Sequence, residues 1–125
     1  MRYLVESFAL GALRRGRGIE QFLGAAGTSD QPVIRWVSIE PTRRVFVVTL
    51  YTVLDVGGEH FCDLLEFSPL DPDEEFGQEV EITDDPLAAM VCAETQTGAR
   101  RDRWVNAGIA GHEYYDYVRS GRPKA

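Results

Sequence analysis

Two runs near the middle of the chain restrict the fold more than anything else in it. Residues 33–40 and 45–56 are rich in β-branched and aromatic side chains and carry apolar residues at alternate positions. A strand turns successive side chains to opposite faces, so each run predicts a strand with two chemically different sides. A third run, residues 59–67, follows Gly57-Gly58, a pair favoured in two-residue hairpin turns. Joining the first two runs through Pro41-Thr42-Arg43-Arg44 sets Glu40 against Val45 and Ile39 against Phe46. The second turn sets Asp55 against His60 and Leu54 against Phe61. With that register one face gathers Val37, Ile39, Phe46, Val48, Leu50 and Leu54, a core that helices must cover. The other gathers Trp36, Ser38, Tyr51, Asp55, His60 and Cys62, a face suited to contact or to a pocket.

The flanks supply further elements. Residues 2–10 alternate loosely and read as a strand or the start of a helix. The Arg- and Gly-rich stretch 11–18 breaks whatever precedes it. Ile19, Phe22 and Leu23 predict a short amphipathic helix over 19–23, closed by residues 24–27. Glu79-Val80-Glu81-Ile82 alternates like an edge strand whose outward charges discourage aggregation. Asp85 is a natural N-cap, Pro86 suits the first helical position, and Gly98 supplies a stop. Between them Leu87, Met90, Val91 and Glu94 recur at helical spacing. Residues 103–107 read as a short strand around Trp104. Residues 111–120 read as a last helix, with Tyr114 and Tyr117 or Val118 inward and Tyr115 and His112 nearer solvent. The expectation is one α+β domain spanning 1–125: an antiparallel sheet of about four to five strands (central meander 33–40, 45–56, 59–67) with helices packed on one face.

Charge is as unevenly distributed as hydropathy. Between Arg44 and Arg100 there is no Lys or Arg against thirteen carboxylates, whereas the remainder carries thirteen bases and seven acids. The net charge of −7 is thus a strongly negative middle between basic ends. Such a field steers partners of opposite sign. It disfavours nucleic acid, despite the basic clusters at Arg14, Arg15 and Arg17 and at Arg100, Arg101 and Arg103. The 125 residues contain no apolar run of membrane-spanning length, and the N-terminus, with Glu6 early, does not read as a signal peptide. Cys62 and Cys92 form no Cys-x-x-Cys pair. They read as two thiols of a reducing cytoplasm, and the expected location is cytoplasmic.

Motifs of catalysis are lacking in the sequence. The acidic run from Asp71 evokes a calcium loop but has Phe76 where the loop needs Gly and Ile82 where it needs Glu. The Gly11–Gly18 stretch offers glycines and arginines for an anion but lacks phosphate-loop spacing. No cofactor and no metal are expected. Asp55 facing His60, with Cys62 two residues on, is a partial nucleophilic arrangement.

The build, acidic and α+β at about this length, is similar to that of small bacterial immunity and antitoxin-like proteins. That resemblance implies an inhibitor that plugs a basic partner such as a nuclease toxin. The leading expectation is therefore a protein-interaction domain that binds a basic protein through Asp71, Asp73, Glu74, Glu75, Glu79 and Glu81, with Trp36 and Tyr115 as aromatic anchors. The alternative is a small enzyme or ligand-binding domain whose pocket on the second sheet face uses Tyr51, Asp55, His60, Cys62 and Trp36. A homo-oligomer burying Trp36 and Tyr51 against a second copy is a third reading.

Overall fold

A computed structural model describes residues 2–26 and 30–123. In chain order the elements are α1 (Glu6–Arg14), β1 (Ile19–Ala25), β2 (Val33–Thr42), β3 (Val45–Leu54), β4 (Gln78–Thr83), α2 (Pro86–Thr97), β5 (Val105–Asn106) and α3 (Ala110–Arg119). The five strands form one antiparallel sheet in the order β4-β3-β2-β1-β5, making the chain an α+β fold. No helix among the described residues is long and apolar enough to cross a membrane.

The central hairpin has the expected faces but not the expected register. Arg43-Arg44 alone makes the turn, with Arg43 at a φ of 58°, so Thr42 pairs with Val45 and Glu40 with Val47. The pairing sits two residues from the anticipated one. An even displacement leaves every side chain on its own face, which is why the two sets survive. Val37, Ile39 and Val48 enter a core with Leu13, Met90 and Trp104 under α1 and α2. Trp36 and Val53 enter a second core with Leu64, Phe67 and Tyr114.

Residues 59–67 are not a third strand of a meander. The chain leaves the sheet after Leu54, and residues 68–70 take that place beside β3: the Leu54 N–H donates to the Ser68 carbonyl at 2.8 Å and the Leu70 N–H to the Thr52 carbonyl at 3.0 Å. Gly57 permits the departure. A Cβ there would stand 2.3 Å from the Phe61 carbonyl and 2.4 Å from the Phe67 ring, so the loop closes on itself where a paired strand would continue. Leu64 and Phe67 then point down onto the second sheet face. Helices accordingly lie on both faces, α1 and α2 on the first and α3 on the second, which corrects the one-sided arrangement.

The N-terminal third also departs from expectation. The helix lies at residues 6–14, running through Gly11 and ending before Gly16 at a φ of 81°. Residues 19–23 are strand. Ile19 pairs with Ile39 and Asn106, Glu20 with Ser38 and Val105, and Phe22 with Trp36. Pairing on both sides outweighs the weak helical spacing of a five-residue window. Gly27 lies outside the described residues.

The second helix begins and ends as expected: the Asp85 carboxylate accepts from the Leu87 N–H at 3.3 Å, and Gly98 adopts a φ of 81°. Its buried side is Ala89, Met90, Ala93 and Thr97, while Leu87 and Val91 face out. The small residues let the helix approach the sheet closely, and this selects the alanine side over the larger side chains.

Candidate functional site

The second sheet face is only partly covered. The loop 61–67 closes one end and α3 the other, and between them a recess of about 670 Å³ remains. Its floor is sheet: Glu20 of β1, Trp36, Ser38 and Glu40 of β2, and Tyr51 of β3. One wall is Cys62–Leu65. The other is Ala107 and Gly108 together with Gly111, His112 and Tyr115 of α3. The walls meet because Gly111 has no side chain: a Cβ there would lie 2.5 Å from the Cys62 carbonyl oxygen.

The polar groups in this recess are under-used. Trp36 stacks on Tyr51 with ring centroids 4.0 Å apart and planes 7° from parallel. Its side chain is only 3 % exposed, yet its indole N–H has no hydrogen-bond partner. An unpaired buried donor of this kind costs about 1–3 kcal/mol. The Ser38 hydroxyl lies near enough to the Tyr51 phenol to pull against the upward push of burial on Tyr51, but its geometry leaves Ser38 Oγ without a hydrogen bond.

Three carboxylates line the recess, Glu20, Glu40 and Asp63, and among the described residues no Lys or Arg does. Glu20 is buried, which pushes its carboxyl above the ordinary value, while N–H groups of Gly108 and Ala110 at the start of α3 pull it back and Glu40 adds to the rise. Glu40 stands at the rim and is also pushed up by partial burial. The recess therefore holds clustered negative charge that the fold disfavours, beside aromatic surface. An organic cation would relieve the carboxylates and lie against the half-buried rings of Tyr51 and Tyr115.

Several expected site residues meet here and others do not. Trp36, Tyr51, Cys62 and Tyr115 all line the recess. Trp36, however, is buried within its own chain, so it is reachable only through the recess and not as a surface anchor or a face for a second copy. Asp55 and His60 do not face each other. Asp55 has a side chain 2 % exposed and accepts from Arg122 Nε at 2.9 Å and from the Tyr114 hydroxyl, while His60 sits exposed in the turn after Gly58. The strand that would have paired them is absent. The Cys62 thiol donates to the Gly58 carbonyl at 3.1 Å, and burial with the Glu59 charge keeps it protonated, a poor nucleophile.

The acids of the middle segment are exposed, apart from the half-buried Glu74, and divide between two sides. Glu74 and Glu75 border a smaller recess of about 180 Å³ that shares Tyr51, Leu64 and Leu65 with the larger one. Asp71 caps the same short turn by accepting from the Asp73 N–H at 3.0 Å. Glu79 pairs with Thr49 and Glu81 with Val48, and the Glu81 charge is felt by Cys92 on α2, on the other side of the sheet. Among the described residues no three His, Cys, Asp or Glu side chains converge as a metal site.

Glu20, Ser38, Glu40, Asp63 and His112 complete the site without having been singled out as its residues. The alternation of Ile19, Gln21 and Leu23 against Glu20 and Phe22 was the signal that could have put Glu20 on the sheet. No family model, no curated protein and no solved structure matches the chain.

Proposed function

We propose that the chain is a binding domain for an organic cation, taken into the recess on the second sheet face. The observation that carries this reading is the combination of three carboxylates and stacked aromatic rings around one cavity that, among the described residues, no Lys or Arg lines. A protonated amine or guanidinium carried on an apolar or aromatic frame fits that combination. At about 670 Å³ the cavity falls in the usual range for ligand sites.

The test is a panel of small amines and guanidines, including 2-phenylethylammonium and N-acetyl-arginine amide, compared with 2-phenylethanol and 3-phenylpropionate. Binding is read from the indole N–H resonance of Trp36, assigned with the Trp36→Phe variant. Cations that move this resonance while the neutral and anionic analogues leave it in place are the expected result. Equal binding of the anion, or no response to any cation, overturns the reading.

A further inference from the structure

The large recess is not isolated, and its surroundings bear on what carries the cation. Tyr51, Leu64 and Leu65 form a shared wall, and on its far side lies the smaller recess, floored by Val53 and Phe67 and bordered by Glu74, Glu75 and Phe76. Leu65 is 70 % exposed and Phe76 84 % exposed, the two most exposed large apolar side chains in the described residues. They stand beside this double recess, and Asp71 and Asp73 lie on the turn next to it. Among the described residues no Lys or Arg lines either recess. A free small molecule in the large recess would leave Leu65, Phe76 and the neighbouring acids without a role. A polypeptide would use them all, since alternate side chains of an extended segment can enter successive pockets while its backbone carbonyls supply acceptors.

We infer that the cation is the Lys or Arg side chain of a basic, extended segment of a partner protein, which lies across Leu65 and places an apolar side chain against Phe76. This rests on the organic-cation reading and adds its source. Charge complementarity identifies the occupant: Glu20, Glu40 and Asp63 surround the inserted side chain, and Glu74 and Glu75 with Asp71 and Asp73 face the flanking positions. Glu81, on the opposite side of the sheet, takes no part.

The experiment uses the full chain and capped peptide libraries with one fixed Arg, one fixed Lys or one fixed citrulline, all other positions being randomised. The competitor is 2-phenylethylammonium. Arg or Lys peptides are expected to bind at least tenfold tighter than the small cation, and citrulline peptides to lose that gain. In the Phe76→Ser variant, whose change is at an exposed position outside the large recess, peptide affinity falls about tenfold while that for 2-phenylethylammonium is unchanged. Glu74→Gln with Glu75→Gln weakens the peptide and steepens no other signal, and Glu81→Gln changes neither. If the small cation binds but peptides bind no tighter and Phe76→Ser is silent, the peptide inference is overturned and the cation site stands. If neither cation nor peptide moves the Trp36 resonance, both fall.

Discussion

The two faces of the sheet are covered in different ways. On the first, α1 and α2 bring Ala9, Ala12, Ala89 and Ala93 against Val37, Ile39 and Val48, and the cover is apolar and close. On the second, α3 and the loop 61–67 are fastened at their edges and bridge over the middle. Tyr114 packs between Phe22 and Phe67 with centroids at 5.9 Å and 5.1 Å, and the buried Asp55 carboxylate ties Tyr114 and Arg122 to the end of β3. Unpaired indole N–H groups occur on both faces, at Trp104 and Trp36. Trp104 is fully buried and borders neither recess, whereas Trp36 borders the large one. The first face is organised for stability. The second is covered less closely and keeps a charged, aromatic space.

The largest expected effect separates the faces directly. Ile39→Ala removes a fully buried side chain from the first core and should cost about 2–5 kcal/mol in urea unfolding. Trp36→Phe removes an unpaired donor along with part of a ring, and its net cost should stay within roughly 1–2 kcal/mol. Equal losses would mean that the second face is packed as tightly as the first, and the contrast would break.

A smaller effect sharpens it. Asp55→Asn keeps the shape but removes the charge that holds Tyr114 and Arg122, for a loss of about 2 kcal/mol. If the second cover is a fastened bridge, amide exchange should accelerate in α3 and in residues 57–67 while α1 and α2 keep their protection. Uniform acceleration would show that the two covers open as one unit.

The same contrast explains how much could be read from the sequence. The faces of β2 and β3 were legible because alternation is a local property, and a two-residue error in pairing does not disturb it. The caps of α2 were legible for the same reason, Asp85 and Gly98 being signals confined to a few residues. Residues 19–23 were not: five residues can satisfy helical and strand patterns alike, and only pairing with β2 and β5 decides. Residues 59–67 alternate well enough for a strand, but Gly57 lets the chain fold against Phe61 and Phe67 instead. These two misreadings together hid the site. Glu20 belongs to the first and Asp63 to the second, so the carboxylates converge only once both segments are placed.

The smallest expected effect concerns pH and tests the electrostatic half of the comparison. Among the described residues Glu20 is the one carboxylate residue buried as a whole, and it lies on the second face, its carboxyl raised above the ordinary 4.5 by burial and only partly compensated by the N–H groups of Gly108 and Ala110. A carboxyl raised by folding binds protons more tightly in the native state. Its stabilising contribution is therefore fully present below the unfolded value and is lost as pH rises through the folded one. Glu20→Gln removes that titration while the amide oxygen can still accept from Gly108. Urea midpoints of the two proteins between pH 4 and pH 8 should thus move apart, the natural chain losing stability relative to the variant as pH rises. A cation bound in the recess reverses the sign for affinity: it favours the ionised carboxylates, so binding of 2-phenylethylammonium should strengthen over the same rise and do so less in the variant. Parallel pH profiles would show that the Glu20 charge is already satisfied by α3, leaving Glu40 and Asp63 to attract the ligand.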